Sequence, residues 1–134
     1  MKKIFMFFAA VAMAAGIASA QDINTVTETY NNGAMELEMG NKEAALGYFQ
    51  AALAAAEELG EEGMQIAENC KNTIPVLMGS IAKDLIKAEQ FDAAIEQLNK
   101  TIEVCNTLGN TAEADECKDL IKQTLMAKGN DLIN

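Results

Sequence analysis

Asn41-Lys42-Glu43-Ala44-Ala45-Leu46 and, 49 residues later, Gln90-Phe91-Asp92-Ala93-Ala94-Ile95 carry one pattern: an acidic residue, an alanine pair and an aliphatic residue after a polar opening. Glu58-Leu59-Gly60 and Thr107-Leu108-Gly109 repeat at the same step. Ala67-Glu68-Asn69-Cys70-Lys71 matches Ala114-Asp115-Glu116-Cys117-Lys118, and Asp84-Leu85-Ile86 matches Asp131-Leu132-Ile133, both 47 residues apart. A fixed period of this size marks a supersecondary unit that recurs along the chain. The chain reads as one helical pair, repeated.

The period inside each copy is helical. Leu46, Phe49, Leu53 and Ala56 fall on one face, as do Phe91, Ile95, Leu98, Ile102 and Cys105, whereas no segment alternates as a strand does. Breakers interrupt the runs at Gly40-Asn41, Gly60 to Gly63, Glu89-Gln90 and Gly109-Asn110, where C-cap chemistry ends helices. The spacing predicts helices at about 23–39, 42–59, 62–88, 91–108 and 111–133, with ends uncertain by ~2–4 residues. Loops this short make successive helices antiparallel. The expected fold is all-α, with a first repeat over about 23–60, a second over 62–109, and a helix of a third repeat, or a cap, over 111–134.

These residues resemble the tetratricopeptide repeat family. Gly33, the turn at Gly40-Asn41-Lys42, Ala45, Phe49 and Ala52 fall at that family's small and large positions, and Ala82, Phe91, Ala94, Leu98 and Thr101 do so in the second copy. Gly129 looks like the opening small residue of a third copy. The family's early aromatic is missing, Thr101 stands for its late alanine, and no proline closes either repeat. A typical unit has about 34 residues; this one carries roughly 14 more, close to four helical turns, which preserves facing. The resemblance covers nearly all of residues 23–134. It implies an α-solenoid of stacked antiparallel hairpins in a right-handed superhelix, with a ligand in the concave groove lined by the first helix of each pair. Carried over by position, the groove residues are Thr27, Tyr30, Ala34 and Glu38, then Val76, Lys83 and Lys87, then Gln123, Met126 and Asn130. The Lys and Asn pattern that grips a peptide's terminal carboxylate in some members is not reproduced.

Ahead of the repeats, Lys2 and Lys3 precede an apolar run from Ile4 to Ile17, and Ala18-Ser19-Ala20 supplies the small residues that signal peptidase accepts before Gln21. Residues 1–20 therefore read as a signal peptide, cleaved between Ala20 and Gln21, that sends the chain to the periplasm or beyond. The run is too short for a span of about 20 residues. No later stretch is apolar enough to cross a membrane. Its removal leaves eight lysines against twenty carboxylates, a net charge of −12. Nucleic acid is an unsuitable partner for such a surface. With no histidine, imidazole triads and His-ligated zinc are excluded.

Pro75 falls inside the third helix, where it removes a hydrogen bond to the Lys71 carbonyl. The expectation is a kink or break near Asn72 to Ile74, with Thr73 capping a new start. Asn134 ends the sequence inside the alignment of a third pair, which favours a segment of a longer array over a terminal cap.

Few residues suggest chemistry. In an antiparallel hairpin centred near Thr111, Cys105 and Cys117 are equidistant from the turn and face each other. Either they form a disulfide, which export permits and which closes a loop worth roughly 3 kcal/mol, or they are two small buried hydrophobes. Cys70 has Ala56 as its hairpin counterpart and should be a buried, unpaired thiol. Three cysteines without a CxxC pair do not make a metal site. Glu57, Glu58, Glu61 and Glu62 lack the oxygen spacing of a calcium loop and read as a solvated charge run. Ser80, the sole serine after residue 20, has no base beside it in any recognisable motif. Met35, Met39, Met64, Met78 and Met126 lie on or near apolar faces and read mostly as core filler.

The function expected is noncatalytic: a protein- or peptide-binding scaffold of the cell envelope, without cofactor or metal, whose partner has a basic face. Self-association into a structural solenoid is the alternative.

Overall fold

The computed structural model describes residues 22–133, and all its regular structure is helical. The signal segment and its Ala20/Gln21 cleavage point lie outside the described residues. Five α-helices follow one another: α1 (Ile23–Glu38), α2 (Lys42–Glu58), α3 (Met64–Lys87), α4 (Phe91–Leu108) and α5 (Thr111–Ile133), with a 3-10 turn over Gly60–Gly63 before α3.

Local chemistry sets the ends. Asp22 caps α1, its Oδ1 accepting the Thr25 N–H at 3.0 Å, and Asn110 caps α5 by accepting the Glu113 N–H at 3.1 Å. Helix α1 closes in a Schellman turn: Gly40 N–H donates to the Leu37 carbonyl and Asn41 N–H to that of Glu36, with Gly40 at φ +83°. Helix α3 closes with the same two bonds, Glu89 to Ile86 and Gln90 to Leu85. There the left-handed position is held by Glu89, at φ +60°.

Two compact units divide at Ile74/Pro75. In the first, α1 packs on α2. Val26, Ala55, Ala56 and Ala67 form its buried cluster, with Leu53, Leu59 and Ile66 around it. The small residues permit close approach: a Cβ on Gly33 would lie 3.0 Å from the Phe49 ring, and one on Gly63 only 2.1 Å from the Ala56 carbonyl oxygen. In the second unit, α4 packs on α5, and Ala82, Leu98 and Cys117 form the cluster, with Ile86, Ile102, Leu120 and Ile121 against it.

Both units are built alike. Gly33, Ala45, Phe49 and Ala52 are buried in one, and Ala82, Ala94, Leu98 and Thr101 at the matching places in the other. The hydroxyl on Thr101, where alanine was expected, is satisfied by donating to the Gln97 carbonyl at 2.8 Å. Gly129 is different. A Cβ there meets nothing within 4 Å, so it is not a close-approach glycine, and the residue packed into the cluster with Ala82 is Cys117.

Pro75 does not break α3, which is continuous from Met64 to Lys87. The Thr73 hydroxyl donates back to the Asn69 carbonyl at 2.8 Å instead of capping a new start. The helix survives because it is anchored on both sides of the proline, by buried Ala67, Cys70 and Ile74 before it and by Leu77, Met78, Ile81 and Ala82 after it. The charge run behaves as expected: Glu57, Glu58, Glu61 and Glu62 are exposed. The helix nevertheless begins at Met64 and not at Glu62, because the two glutamates sit in the 3-10 turn.

Candidate partner-binding faces

On α1, Thr27, Tyr30, Ala34 and Glu38 advance by three or four residues and so share one face. Thr27 and Glu38 are exposed, and Tyr30 and Ala34 half-buried. The Thr27 hydroxyl is engaged with the Ile23 carbonyl at 2.7 Å. Tyr30 tilts its ring at 55° against Phe49, with centroids 5.3 Å apart, so part of its apolar surface already serves the first unit's core.

In the second unit, Val76, Lys83 and Lys87 are exposed along α3. Lys83 Nζ lies 2.8 Å from Glu116 Oε1, and that hydrogen bond raises the lysine's pKa. The neighbouring glutamate, Glu113, lies so near Gly79 that a Cβ there would be 2.5 Å from its Oε1. Burial, followed by the charge of Glu116, raises the Glu113 pKa, and Lys83 partly offsets this.

Gly79 beside Glu113 and Lys83 beside Glu116 ascend together, so the second part of α3 and the start of α5 run parallel. The residues in contact are 33 to 34 apart. Gln123 and Met126 are exposed on later turns of α5. Met126 is ten residues beyond Glu116, about 15 Å along the helix, so the structure does not set it beside Lys83. The last groove residue, Asn130, lies in α5, and its side chain is outside the described residues. At that end, Lys128 Nζ pairs with Asp92 Oδ1 at the start of α4.

The methionines depart furthest from expectation. Met78 is buried, but Met35, Met39, Met64 and Met126 are exposed, Met39 by 62% and Met126 by 70%. Val76 and Leu125 are also more than half exposed. The helical period is blind to this difference, since a residue one step off the core stripe still reads as belonging to it. Sequence reasoning also missed Gln97, which is buried among Ala94, Leu98 and Thr101 on α4 and whose Nε2 finds no hydrogen-bond partner among the described residues. Its repeat counterpart is Tyr48, which gives no hint of a buried amide.

All three cysteines are buried free thiols. Burial raises the pKa of Cys70 and of Cys117 to about 12. Among the described residues, no cluster of His, Cys, Asp or Glu could hold a metal ion, and no helix is long and apolar enough to cross a membrane. No protein-family model, curated protein or solved structure matches the chain.

Proposed function

We propose that this chain is a noncatalytic scaffold of the tetratricopeptide-repeat kind, exported to the cell envelope, that binds a protein or extended peptide through exposed helix faces. The observation that carries the reading is the set of large apolar side chains left in solvent: Met35 on α1, Met39 at its C-cap, Val76 on α3, Leu125 and Met126 on α5. Flexible thioethers adapt to varied partner surfaces, and a few desolvated anchors supply most of the energy in such contacts. After residue 20 the chain is strongly negative, with twenty carboxylates against eight lysines. A partner with a basic face would therefore meet this surface quickly, and its association would weaken as salt rises.

Within the second unit the 33 to 34 residue offset favours a face formed by Val76, Lys83 and Lys87 with the first turns of α5, while Met126 belongs to a separate stretch. Photo-crosslinkers placed singly at Met39, Val76 and Met126 test the proposal in envelope extract, with Glu61 in the exposed 3-10 turn as control. Adducts at one or more apolar sites, reduced at high salt and missing at Glu61, support it. Equal labelling at Glu61, or no adduct at any salt, refutes it. Mass determination of the N-terminus in cells tests export, which requires a chain beginning at Gln21.

Self-assembly is the second reading, and it draws on Leu125 and Met126 being exposed on the last helix. Sedimentation over a concentration series separates the two readings, because a monomer at high concentration excludes assembly.

A further inference from the structure

The second unit contains two cysteines on adjoining helices, and the partner-binding reading uses neither. Cys105 and Cys117 are both fully buried. Cys117 packs in the cluster of Leu98, with Ile102 against it. Leu98, Ile102 and Cys105 advance along α4 by four and then three residues, so Cys105 shares the face of α4 that carries Leu98 of this cluster, and it lies near enough for its charge to act on Cys117. The turn between the helices is tightly fixed: Gly109 adopts φ +80°, Asn110 N–H donates to the Cys105 carbonyl at 2.9 Å, and Asn110 Oδ1 accepts from Glu113 N–H, one turn before Cys117. One residue thus ties the turn that carries Cys105 to the turn that leads to Cys117. Cys70 lies in the other unit, at the first part of α3.

We infer that Cys105 and Cys117, both free thiols in this structure, are joined by a disulfide across the α4–α5 hairpin after the export proposed above, on which this inference rests, and that the bond forms while the hairpin is still open, before its core closes over the two sulfurs. The oxidant is an external disulfide, either a small molecule or a dithiol–disulfide oxidoreductase. A thiolate of the pair attacks it to give a mixed disulfide and release one thiol. The second cysteine then attacks the mixed disulfide, forms the intramolecular bond and releases the second thiol. The chain loses two protons and two electrons, and the external disulfide is reduced to two thiols.

The order follows from the folded environment. Burial, together with the charges of Glu113 and Cys105, pushes Cys117 up to about 12, and burial followed by Glu113 raises Cys105. At pH 7 the folded Cys117 is thiolate at a level more than three orders of magnitude below that of an unfolded cysteine. Higher intrinsic nucleophilicity recovers about half of that on a logarithmic scale, leaving roughly a 50-fold disadvantage, which the burial of both sulfurs widens further.

The test compares oxidation by oxidised glutathione of the fully reduced protein in its folded state and in urea, followed by refolding. Thiol alkylation, intact mass and peptide mapping read the products. The expected result is a Cys105–Cys117 linkage with Cys70 still alkylatable, formed at least about 50-fold more slowly from the folded state. The Cys70→Ala variant should oxidise like the parent, and Cys117→Ala should yield no intramolecular bond. Three alkylatable thiols after oxidative refolding, a linkage through Cys70, or equal rates from the two states would each overturn the inference.

Discussion

Replacing Gly63 by alanine probes the closest approach in the first unit. A Cβ there lies 2.1 Å from the Ala56 oxygen and 2.8 Å from that residue's carbonyl carbon and Cα, whereas an ordinary carbon–oxygen contact is about 3.3 Å. The 3-10 turn must therefore withdraw from α2 by about 1 Å. No side chain can swing aside to relieve it, because the obstructing atoms are backbone. Withdrawal also loosens the contact among Val26, Ala55, Ala56 and Ala67, to which α1, α2 and the start of α3 contribute. Overpacking costs typically ~1–3 kcal/mol, and a backbone obstruction places Gly63→Ala near the top, at about 3 kcal/mol. For a domain of this size that lowers Tm by about 12 °C. Gly129→Ala is the internal control: it sits in α5 with open space around it and should gain about 1 kcal/mol from helix propensity. Urea and thermal unfolding by circular dichroism read both variants. A Gly63→Ala protein within about 3 °C of the parent, or one no less stable than Gly129→Ala, would refute the packing argument.

Glu89→Gly should stabilise the protein by about 1 kcal/mol, since Glu89 alone among the described non-glycine residues holds a positive φ; a fall in Tm would contradict this. Leu98→Ala empties a fully buried site in the second unit's cluster and should cost about 2–5 kcal/mol by denaturant titration. For Glu113, facing Glu116, Lys83, Cys105 and Cys117, the folded state binds its proton more tightly than the unfolded state. Its contribution is therefore favourable at low pH and is lost as pH rises through the folded value. Glu113→Gln should accordingly exceed the parent in stability at pH 7 and lose that advantage by pH 3; a less stable variant at pH 7 would show the sign to be wrong.

Helix ends were legible because they rest on local chemistry. Glycines at 40 and 109 and the Glu89-Gln90 pair marked the C-termini within a residue or two, and alanine spacing picked out Ala45, Ala52 and Ala94 as buried. The repeat itself was legible beyond a single helix, since Ala67 and Cys70 are buried like their 47-residue counterparts Ala114 and Cys117, but the contacts between helices were not. The 47- and 49-residue steps compare like sequence with like, but α3 is long enough to serve the first cluster with Ala67 and the second with Ala82. The steps do not say which residues touch, and in the second unit it is Cys117, 35 residues on, that packs with Ala82. Pro75 looked like a break because a local rule cannot count the buried contacts on either side of it. The exposed methionines escaped notice because hydropathy does not say which of two adjacent helical stripes meets a neighbour.

The 33 to 35 residue spacing of the contacts between α3 and α5 is the claim on which the proposed face of the second unit depends, and nuclear Overhauser effects on isotope-labelled protein measure it directly. Contacts are expected from the Ala82 methyl to Cys117 and Leu98 and from the Gly79 α-protons to Glu113, with none from Ala82 to residues 128–130. Contacts of Ala82 with residues 128–130 in place of Cys117 would displace α5 along α3 and contradict the face described here.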